Sequence, residues 1–386
     1  MRILIVDDNP TNTIIVREIL KKENYRNTVV VSSAKDMLER LGITNTEDPA
    51  DVGPSDIDLI LLDMMMPEID GIEACRILQR YEQLKDIPVI MVTAVGDSKK
   101  LAEALDAGAV DYVTKPINKV ELMARIRLAL RLKLEKDWHR KRDQRIQEEL
   151  KLAALVQNAV LSPPIRDPHF EIDAIYKPSF ELAGDLYSWY SLGEGKYGVI
   201  LLDMMGHGIS SSLFCMFISS VLKDTVNTYV EPEKVIQELN RRFNQLHIES
   251  KLIQYYFTAI YLVVDTACKK IDYVNAGHPP ALFYQSDGSM VKLDRISPPV
   301  GVFDQIEVET QTLDYEGEGH LVLYTDGLID AAEGTLTLEE RQAWLTARLH
   351  GCGHHFDKEK LRRLFFGEHA PREREDDKCL VWIALS

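Results

Sequence analysis

Acidic side chains follow short apolar runs in two separate parts of this 386-residue sequence. In the N-terminal part, Asp7 and Asp8 follow Ile3–Val6, and Asp63 follows Leu59–Leu62. Three carboxylates brought together repel one another and require a cation. Mg²⁺ is suited to that role because it prefers oxygen ligands. A carboxylate held beside such an ion could attack a phosphoryl donor and become an acyl phosphate.

Two further polar residues follow apolar runs in the same way. Thr93 comes after Pro88–Val92, and Lys115 comes after Asp111–Thr114. Ligands of open parallel sheets bind beyond the carboxyl ends of the strands, so we expect Thr93 and Lys115 to meet the three aspartates there. Their hydroxyl and ammonium groups could then contact the oxygens of a phosphoryl group on Asp63. One Asp at a strand end could be a turn residue, but the ordered set indicates a site.

The C-terminal part carries a second set of aspartates. Asp185 lies in LAGDLYSWY, Asp203 in VILLDMMGHG and Asp326 in LVLYTDGLIDA, while Asp376 and Asp377 precede CLVWIAL. Each could be an ordinary turn residue. Together they offer enough oxygen ligands for two hard cations, an arrangement that can activate water and hold a phosphate oxygen for in-line attack.

Two histidines accompany these aspartates, His207 in the turn after Asp203 and His278 in NAGHPP. The neighbouring glycines allow a tight turn close to the ions. His207 could be an acid, a ligand or a turn residue that points to solvent, and His278 could act in catalysis or support its loop. We favour the structural role for both.

The elements that must position the first set occupy residues 1–127. Apolar runs alternate there with segments of helical spacing, which predicts a parallel sheet covered on both faces. The predicted strands are Ile3–Val6, Thr28–Val31, Leu59–Leu62, Pro88–Val92 and Asp111–Thr114. The predicted helices are Asn12–Lys22, Ala34–Leu41, Glu73–Arg80, Leu101–Ala107 and Lys119–Leu130.

A linker is predicted over residues 128–164, where charged residues interleave and Gly and Pro are nearly absent. Ile146, Leu150, Ala153 and Gln157 fall at near-heptad spacing, which is typical of a two-stranded coiled coil. A solvated helix without a partner is the alternative. Ser162-Pro163-Pro164 ends the pattern.

Residues 165–386 have a different texture, in which strands dominate and helices interrupt them. This order favours a β-rich α/β sandwich over a second parallel sheet. The predicted strands are Phe170–Ile175, Tyr197–Leu202, Tyr256–Val264, Ile271–Asn275, Ala281–Tyr284, Leu321–Tyr324 and Cys379–Ala384. The predicted helices are Ser210–Tyr229, Pro232–Leu246, Leu338–Leu349 and Lys358–Phe366.

Composition limits the classes of partner. The formal charge of −16, from 61 acidic and 45 basic residues, predicts repulsion from nucleic acid and from anionic lipid. The five cysteines are scattered, without a CxxC pair, as in a reduced cytoplasmic protein. We expect no signal peptide and no membrane span, because no apolar run reaches about 20 residues.

Residues 1–125 closely resemble the receiver domain of bacterial response regulators, through LIVDDNP, LILLDMMMPEIDG, VIMVTA and DYVTKP. The resemblance implies a flavodoxin-like sheet and phosphorylation of Asp63 by a sensor histidine kinase. It places Mg²⁺ on Asp8, Asp63 and the carbonyl of Met65, with Asp7 in support. It also implies that Thr93 and Tyr112 form the switch pair.

Residues 150–386 resemble the metal-dependent phosphatases of the protein phosphatase 2C-like group, in the bacterial branch that regulates sigma factors. The motifs are AGDLYS, LLDMMGHG, YVNAGHPPALFY, SPPVGVF, LVLYTDGLIDA and EDDKCLVWIAL. The resemblance implies two Mn²⁺ or Mg²⁺ ions. Asp185 and Asp203 hold one ion and Asp203 bridges to the second, which Asp326 and Asp376 complete, with the Met204 carbonyl as a further ligand. Asp376 is preferred to Asp377 because it is the first of the pair.

The chain departs from this family pattern at two positions. Ala183 stands where a glycine is usual, and Ser188 stands where a second aspartate is usual. The first change could tighten the turn before Asp185. The second could alter the surroundings of the metal site without removing a ligand.

The two resemblances together predict a cytoplasmic response-regulator phosphatase acting on phosphoserine or phosphothreonine. The implied substrate is a phosphorylated anti-sigma-factor antagonist in a stress or developmental partner-switching pathway, and the linker suggests a homodimer. A non-catalytic adaptor that binds a sigma-factor regulator is the alternative. An output domain that synthesises a cyclic nucleotide is disfavoured because the sequence lacks a phosphate-cradling loop.

Overall fold

The computed structural model describes residues 1–43, 53, 55–94, 98–246, 255–330, 337–350, 358–367 and 376–386. The chain forms two compact units, Met1–Ile146 and Gln147–Ser386. The boundary between them falls inside the segment predicted as a linker.

The N-terminal unit is built around five parallel strands in the order β2-β1-β3-β4-β5. This is the strand order of flavodoxin-like folds, so the predicted fold class is confirmed. The strands are β1 Ile3–Val6, β2 Thr28–Val31, β3 Leu59–Asp63, β4 Val89–Thr93 and β5 Asp111–Thr114. The helices are α1 Pro10–Lys22, α2 Ala34–Arg40, α3 Gly71–Gln79, α4 Ser98–Asp106 and α5 Lys119–Ala159.

The sheet of this unit is buried on both faces. β1 is apolar throughout, β3 and β4 are apolar apart from their last residues, Asp63 and Thr93, and all residues of the three strands are buried. Leu4, Leu62 and Met91 pack with α2 and α3 on one face. Ile5 and Leu61 pack with α1 and the start of α5 on the other. Helices on both faces leave only the strand ends open to ligands.

Helix α5 has 41 residues and changes character along its length. Its first turns bury Leu122, Met123 and Ile126 in the N-terminal unit, while residues 131–149 are mostly exposed. Gln157 near its end is 3% exposed. One continuous helix therefore spans the predicted linker up to Ala159.

The C-terminal unit contains two antiparallel sheets, ordered β14-β11-β10-β9-β8 and β13-β12-β15-β16-β7-β6. Its strands are β6 Ile165–Asp167, β7 Phe170–Lys177, β8 Asp185–Gly193, β9 Lys196–Met204, β10 Phe257–Asp265, β11 Lys270–Ala276, β12 Ala281–Gln285, β13 Met290–Leu293, β14 Gln311–Asp314, β15 Gly319–Tyr324 and β16 Lys378–Leu385. Its helices are α6 Ile209–Tyr229, α7 Pro232–Asn244, α8 Asp326–Asp330, α9 Leu338–His350 and α10 Lys358–Phe365.

Three apolar layers hold this unit together. Side chains of the two sheets, among them Leu201 and Val381, form a central layer. α6 and α7 cover the outer face of the first sheet, and α8, α9 and α10 cover that of the second. The result is an α/β sandwich, as the sequence predicts, and the structure adds that it has four layers.

Four strands of this unit were not predicted, namely β6, β8, β13 and β14. All four lie at the edges of their sheets. Edge strands are short or rich in polar residues, so their sequence pattern is weak and pairing with a neighbour decides their structure. β8 begins at Asp185, which places a predicted metal ligand on a strand that the sequence pattern does not reveal.

Helix α6 is long and apolar enough to cross a membrane by length and composition alone, with a mean hydropathy of 1.3. Polar residues, among them Lys223 and Asp224, interrupt this helix, so it is not a continuous apolar run. Cys215, Ile218, Leu222 and Val226 are completely buried against the first sheet of the C-terminal unit. This packing is that of a core helix, which passes the same test.

The cysteines agree with the expected reduced state where the structure describes them. Cys75, Cys215 and Cys379 are buried free thiols, and Cys268 is an exposed one. Cys352 lies outside the described residues.

Candidate functional site

The first acidic cluster lies at the carboxyl edge of the parallel sheet. Asp7 and Asp8 follow β1, and Asp63 is the last residue of β3. These strands are neighbours, with Val6 opposite Leu62. The ligand oxygens of the three aspartates consequently lie within 4.8 Å of one another. Asp7 and Asp63 are buried and Asp8 is exposed.

Lys115 joins this cluster from the end of β5. Its Nζ lies 3.0 Å from Asp7 Oδ2 and 3.0 Å from Asp63 Oδ1. Asn12, at the start of α1, donates from Nδ2 to both oxygens of Asp7 at 3.1 and 3.0 Å. Asn12 is missing from the predicted set, although its place five residues after Asp7 on a helix that starts at the site could have identified it.

Burial sets the protonation behaviour of this cluster. Burial raises the pKa of Asp63, repulsion from Asp7 adds to the increase, and hydrogen bonds from Lys115 and the Met65 N–H oppose it. Burial disfavours the charged Lys115, but its hydrogen bonds to Asp7 and Asp63 outweigh that effect and raise its pKa. Lys115 is therefore charged at neutral pH.

The remaining predicted residues of the receiver lie nearby. Thr93 ends β4, next to the β3 strand that ends at Asp63, and is 3% exposed. Tyr112 lies half-buried on β5, with the guanidinium of Arg125 5.3 Å from its ring centroid. The Met65 side chain is 60% exposed.

The donor set fits one divalent cation. Three carboxylates and one ammonium leave two negative charges at the strand ends, and Asp8 is the carboxylate open to solvent. Oxygen ligands with a net negative charge suit Mg²⁺. Asp7, Asp8 and Asp63 could hold it.

The second cluster combines the ends of both sheets of the C-terminal unit. Asp185 starts β8, directly opposite Asp203 near the end of β9. Asp326 starts α8 after β15, and Asp376 lies two residues before β16. Asp185 Oδ2 accepts a 2.8 Å hydrogen bond from Thr325 Oγ1. Thr325 therefore links the strand of one sheet to the acid of the other.

Burial and neighbouring acids act together on Asp185 and Asp203. Burial raises the pKa of Asp185 well above its usual range, and repulsion from Asp377 and Asp326 adds to it. Burial likewise raises the pKa of Asp203, with further increases from Asp185 and from Asp326, to which it is hydrogen-bonded. Within the described part of the chain, no ion pair joins Asp185, Asp203, Asp326 or Asp376 to Lys or Arg.

This donor set fits divalent cations. Among described residues, Asp7, Asp8 and Asp63 form the one group of three acidic ligand atoms within 4.8 Å, so the four acids here are spread more widely. Carboxylates buried without a compensating base are stabilised by bound cations. The four predicted residues could therefore hold the two predicted ions.

Asp376 and Asp377 have different surroundings. Asp377 is 3% exposed, and its Oδ1 accepts from the N–H and hydroxyl of Ser179 at 2.7 and 2.8 Å. Its Oδ2 accepts from the Gly184 N–H at 2.6 Å. Asp376 is exposed. The geometry therefore favours Asp376 as the ligand and gives Asp377 the task of holding the loop before Asp185.

Two glycines permit close backbone approach in the cluster. A Cβ at Gly327 would lie 2.1 Å from the Asp377 carbonyl oxygen. A Cβ at Gly184 would lie 3.0 Å from the Gly206 carbonyl oxygen and 3.2 Å from that of Met204. The Met204 carbonyl, a predicted ligand, therefore lies beside the loop that leads into Asp185.

The two histidines occupy contrasting positions. His278 is completely buried, hydrogen-bonds Thr258 Oγ1 through Nδ1 at 2.8 Å, and has its pKa lowered to about 3 by burial. It is a neutral part of the loop. His207 is exposed and stacks on Phe180, with ring centroids 5.0 Å apart.

Both departures from the family pattern contact the segment that precedes the C-terminal unit's first strand. Ala183 is fully buried and exchanges two hydrogen bonds with the Gln157 side chain, at 2.7 and 3.1 Å. Ser188 Oγ lies 3.0 Å from Ser162 Oγ. Gln157 holds the loop before Asp185, and the sequence analysis does not predict this role.

The sheet order, the acidic clusters and two family models define the class of protein. Residues 193–386 match the model of the stage II sporulation protein E (SpoIIE) family, and residues 3–127 match the response regulator receiver domain. The chain belongs to the SpoIIE family and carries a receiver domain before its protein phosphatase 2C-like domain.

Relatives match one or the other domain. The phosphoserine phosphatase RsbP of Bacillus subtilis is 43% identical over 235 residues, which cover 61% of this chain and 57% of RsbP. The transcriptional regulator RpaA of Synechocystis is 38% identical over 130 residues, covering 34% of this chain and 49% of RpaA. The chain thus spans about half the length of these curated relatives.

A solved structure supports the fold of the C-terminal unit. The SiaA-PP2C domain of Pseudomonas aeruginosa superposes with a TM-score of 0.52 at 17% identity, covering 63% of this chain and 98% of that domain. At this identity the likeness extends to the fold alone.

Proposed function

We propose that this chain is a protein serine/threonine phosphatase whose activity is controlled by phosphorylation of Asp63. The observation that carries the proposal is the cluster of Asp185, Asp203, Asp326 and Asp376. The first three are buried or partly buried, the fourth is exposed, and none has a basic partner among described residues. Membership of the SpoIIE family supports the same reaction.

The proposed division of labour follows the contacts of each residue. Asp185, Asp203, Asp326 and Asp376, with the Met204 carbonyl, hold the ions. Bound Mn²⁺ or Mg²⁺ would supply the charge that polarises the phosphoester and lowers the pKa of the attacking water. Thr325 orients Asp185 through its 2.8 Å hydrogen bond.

The proposed substrate is a phosphorylated anti-sigma-factor antagonist in a stress or developmental partner-switching pathway. The likeness to RsbP, which is named a phosphoserine phosphatase, supports phosphoserine as the group removed. Dephosphorylation of such antagonists, with and without an acyl-phosphate donor, tests the proposal. A non-catalytic adaptor would bind the antagonist and release no phosphate in either condition.

The receiver is proposed to accept a phosphoryl group from a sensor histidine kinase. Asp63 attacks the phosphorus, the P–N bond to the kinase histidine breaks, and an acyl phosphate forms. Mg²⁺ on Asp8, Asp63 and the Met65 carbonyl, supported by Asp7, would neutralise the transferred charge. Lys115, 3.0 Å from Asp63, and the Thr93 hydroxyl would contact the phosphoryl oxygens. Tyr112 would move together with Thr93.

Helix α5 is proposed to carry this signal to the phosphatase domain and to raise its activity. Its first turns pack in the receiver. Its last turns contain Gln157, whose side-chain amide forms two hydrogen bonds with the backbone of Ala183, two residues before Asp185. The segment after the helix is fixed as well, since Trp189 Nε1 donates to the Pro163 carbonyl at 2.7 Å. A change in the helix would therefore reach the ligand loop directly.

Leu134→Pro tests this route, because proline in a helix interior costs about 3 kcal/mol or more. Leu134 is 54% exposed, so Leu134→Ala is a matched control that keeps the helix. Phosphorylation of Asp63 should stimulate the alanine variant and leave the proline variant at its basal rate. Normal stimulation of the proline variant would reject the route.

We also propose a cytoplasmic homodimer formed through α5. Leu152, Leu155 and Val156 are each about 60% exposed, so this part of the helix presents an apolar surface. A second copy would cover it as in a coiled coil. Light scattering should give twice the mass of one chain, and replacement of these three residues by serine should give one. No role for nucleic acid or a membrane is proposed.

A further inference from the structure

Phe180 and His207 form an exposed aromatic pair beside the phosphatase cluster. Their ring centroids lie 5.0 Å apart with an interplanar angle of 28°. Phe180 is 53% exposed and His207 is exposed as well. A large aromatic side chain at the surface is a common anchor for a partner, because it offers contact area at a low cost in conformational entropy.

Phe180 belongs to the loop that leads from β7 into Asp185. Among residues 178–184, Phe180 is the one exposed residue. Asp377 holds this loop at Ser179 and at Gly184, and Gln157 holds it at Ala183. The loop is thus fixed on both sides of Phe180, and the position of the ring is coupled to that of the metal ligand.

His207 comes from the loop that follows Asp203. Gly206 and Gly208 on either side of it have φ values of 80° and 85°, a conformation that favours glycine. The stack therefore connects the loop before Asp185 to the loop after Asp203. The two rings thus belong to the loops that flank the opposed pair of Asp185 and Asp203.

Apolar side chains extend this surface along α6. Ile209 follows His207 by two residues and is 55% exposed, and Leu213, one turn later on the same face, is 64% exposed. The surface is mainly apolar while the neighbouring cluster is acidic. Acidic side chains of a partner would be repelled, and apolar ones would lose unfavourable contact with water.

We propose that the Phe180–His207 pair is a specificity determinant that packs on an apolar side chain next to the phosphorylated residue of a protein substrate. The proposal rests on the proposed phosphatase function and names the substrate feature that the same site selects.

The test compares three nine-residue phosphoserine peptides that differ in the residues flanking phosphoserine, which are leucine, glycine or arginine. The full chain with Mn²⁺ should hydrolyse the leucine peptide with a kcat/KM about tenfold above that of the glycine peptide, the lower end of discrimination by an apolar contact. Phe180→Ala should bring this ratio close to one, because the leucine peptide loses its apolar contact and the glycine peptide has none to lose.

Two further variants separate recognition from folding. Phe180→Tyr keeps a ring in the stack and should keep the ratio. Phe303→Ala removes a phenylalanine of similar exposure, 55%, from the same unit and should also keep it. A loss of the ratio in Phe303→Ala, or its loss in Phe180→Tyr, would overturn the proposal.

The remaining outcomes are equally informative. Equal rates on the leucine and glycine peptides, a preference for arginine, or an unchanged ratio in Phe180→Ala would each overturn this inference while leaving the phosphatase function intact. Inactivity of the unaltered chain on p-nitrophenyl phosphate and on all peptides would remove the proposed function, and this inference with it.

Discussion

The two acidic clusters of this chain differ in how the repulsion among their carboxylates is offset. In the receiver, Lys115 pairs with Asp7 and Asp63, so a cationic side chain of the chain itself offsets part of the repulsion. In the phosphatase domain, Asp203 and Asp326 instead share a hydrogen bond, and the described residues offer no basic partner. The second cluster therefore depends more strongly on bound cations.

The clusters also differ in what holds them in place. The receiver site arises at adjacent ends of strands in one sheet, next to the first turn of α1. The phosphatase site joins two sheets through Thr325 and needs Asp377 and Gln157 to fix the loop before Asp185. A site held by contacts distant in sequence offers more points at which activity can be regulated.

The largest expected effect is loss of catalysis on removal of a phosphatase ligand. Asp203→Ala should lower kcat on p-nitrophenyl phosphate by about three orders of magnitude, because the bridging carboxylate is lost and charge stabilisation of this kind is worth several kcal/mol. Asp224→Ala makes the same change at an exposed position of α6 and should leave the rate unaltered. Substantial activity in Asp203→Ala would show that the cluster is not the catalytic site.

A smaller effect is expected when the loop before Asp185 is released. Gln157→Ala leaves a buried N–H and a buried C=O of Ala183 without partners, each at a cost of about 1–3 kcal/mol. We expect a loss of about 2–4 kcal/mol in the free energy of unfolding, measured in urea, and at least a tenfold rise in the Mn²⁺ concentration needed for half-maximal activity.

Gln147→Ala is the matched control for this prediction, because Gln147 is an exposed glutamine on the same helix. It should change neither quantity. If Gln157→Ala lowered stability but left the Mn²⁺ dependence unchanged, Gln157 would be a packing residue and the view that α5 orders the metal site would be wrong.

Removal of the Lys115 side chain from the receiver site should lower stability by less than the loss of Gln157 does. Lys115→Ala leaves Asp7 and Asp63 buried without their partner, which should cost about 1–3 kcal/mol. Mg²⁺ should restore part of that stability, measured by calorimetry on the full chain. Lys119→Ala, which removes a surface ion pair with Glu23, should cost less than about 1 kcal/mol. Equal losses of stability in Lys115→Ala and Lys119→Ala would mean that Lys115 contributes no more than a surface ion pair. The contrast between the two clusters would then disappear.

Much of this architecture can be read from the sequence, for physical reasons that also mark the limit. β1, β3 and β4 are buried on both faces, so their continuous apolar runs identify them, and their ends locate Asp7, Asp63 and Thr93. β8 is an edge strand that starts with an aspartate, and its pairing with β9 is a tertiary effect without a local signal.

The contacts that hold the phosphatase site are harder to foresee. Gln157 looks like a heptad residue, yet its amide is used by Ala183, 26 positions away. Asp377 looks like a second ligand, yet both of its oxygens are used by Ser179 and Gly184, nearly 200 positions earlier. Side-chain to backbone bonds across such separations follow from the fold, so residue type and spacing do not predict them.

The smallest expected effect concerns pH and follows from the missing base. Burial and neighbouring acids raise the pKa of Asp185, Asp203 and Asp326 in the folded state, so this state binds more protons than the unfolded one above about pH 4. The free energy of unfolding of the metal-free chain should therefore be highest at or below about pH 4, as far as these groups decide it, and should fall as pH rises towards their raised pKa values.

Thermal unfolding in a chelator should show a melting temperature that declines over this range by a few degrees. Asp203→Asn removes one titrating group and should flatten the decline, and saturating Mn²⁺ should abolish it, because the cation replaces the protons. A melting temperature that rose with pH in the chelator would mean that a base compensates these aspartates after all, and the contrast between the two clusters would disappear.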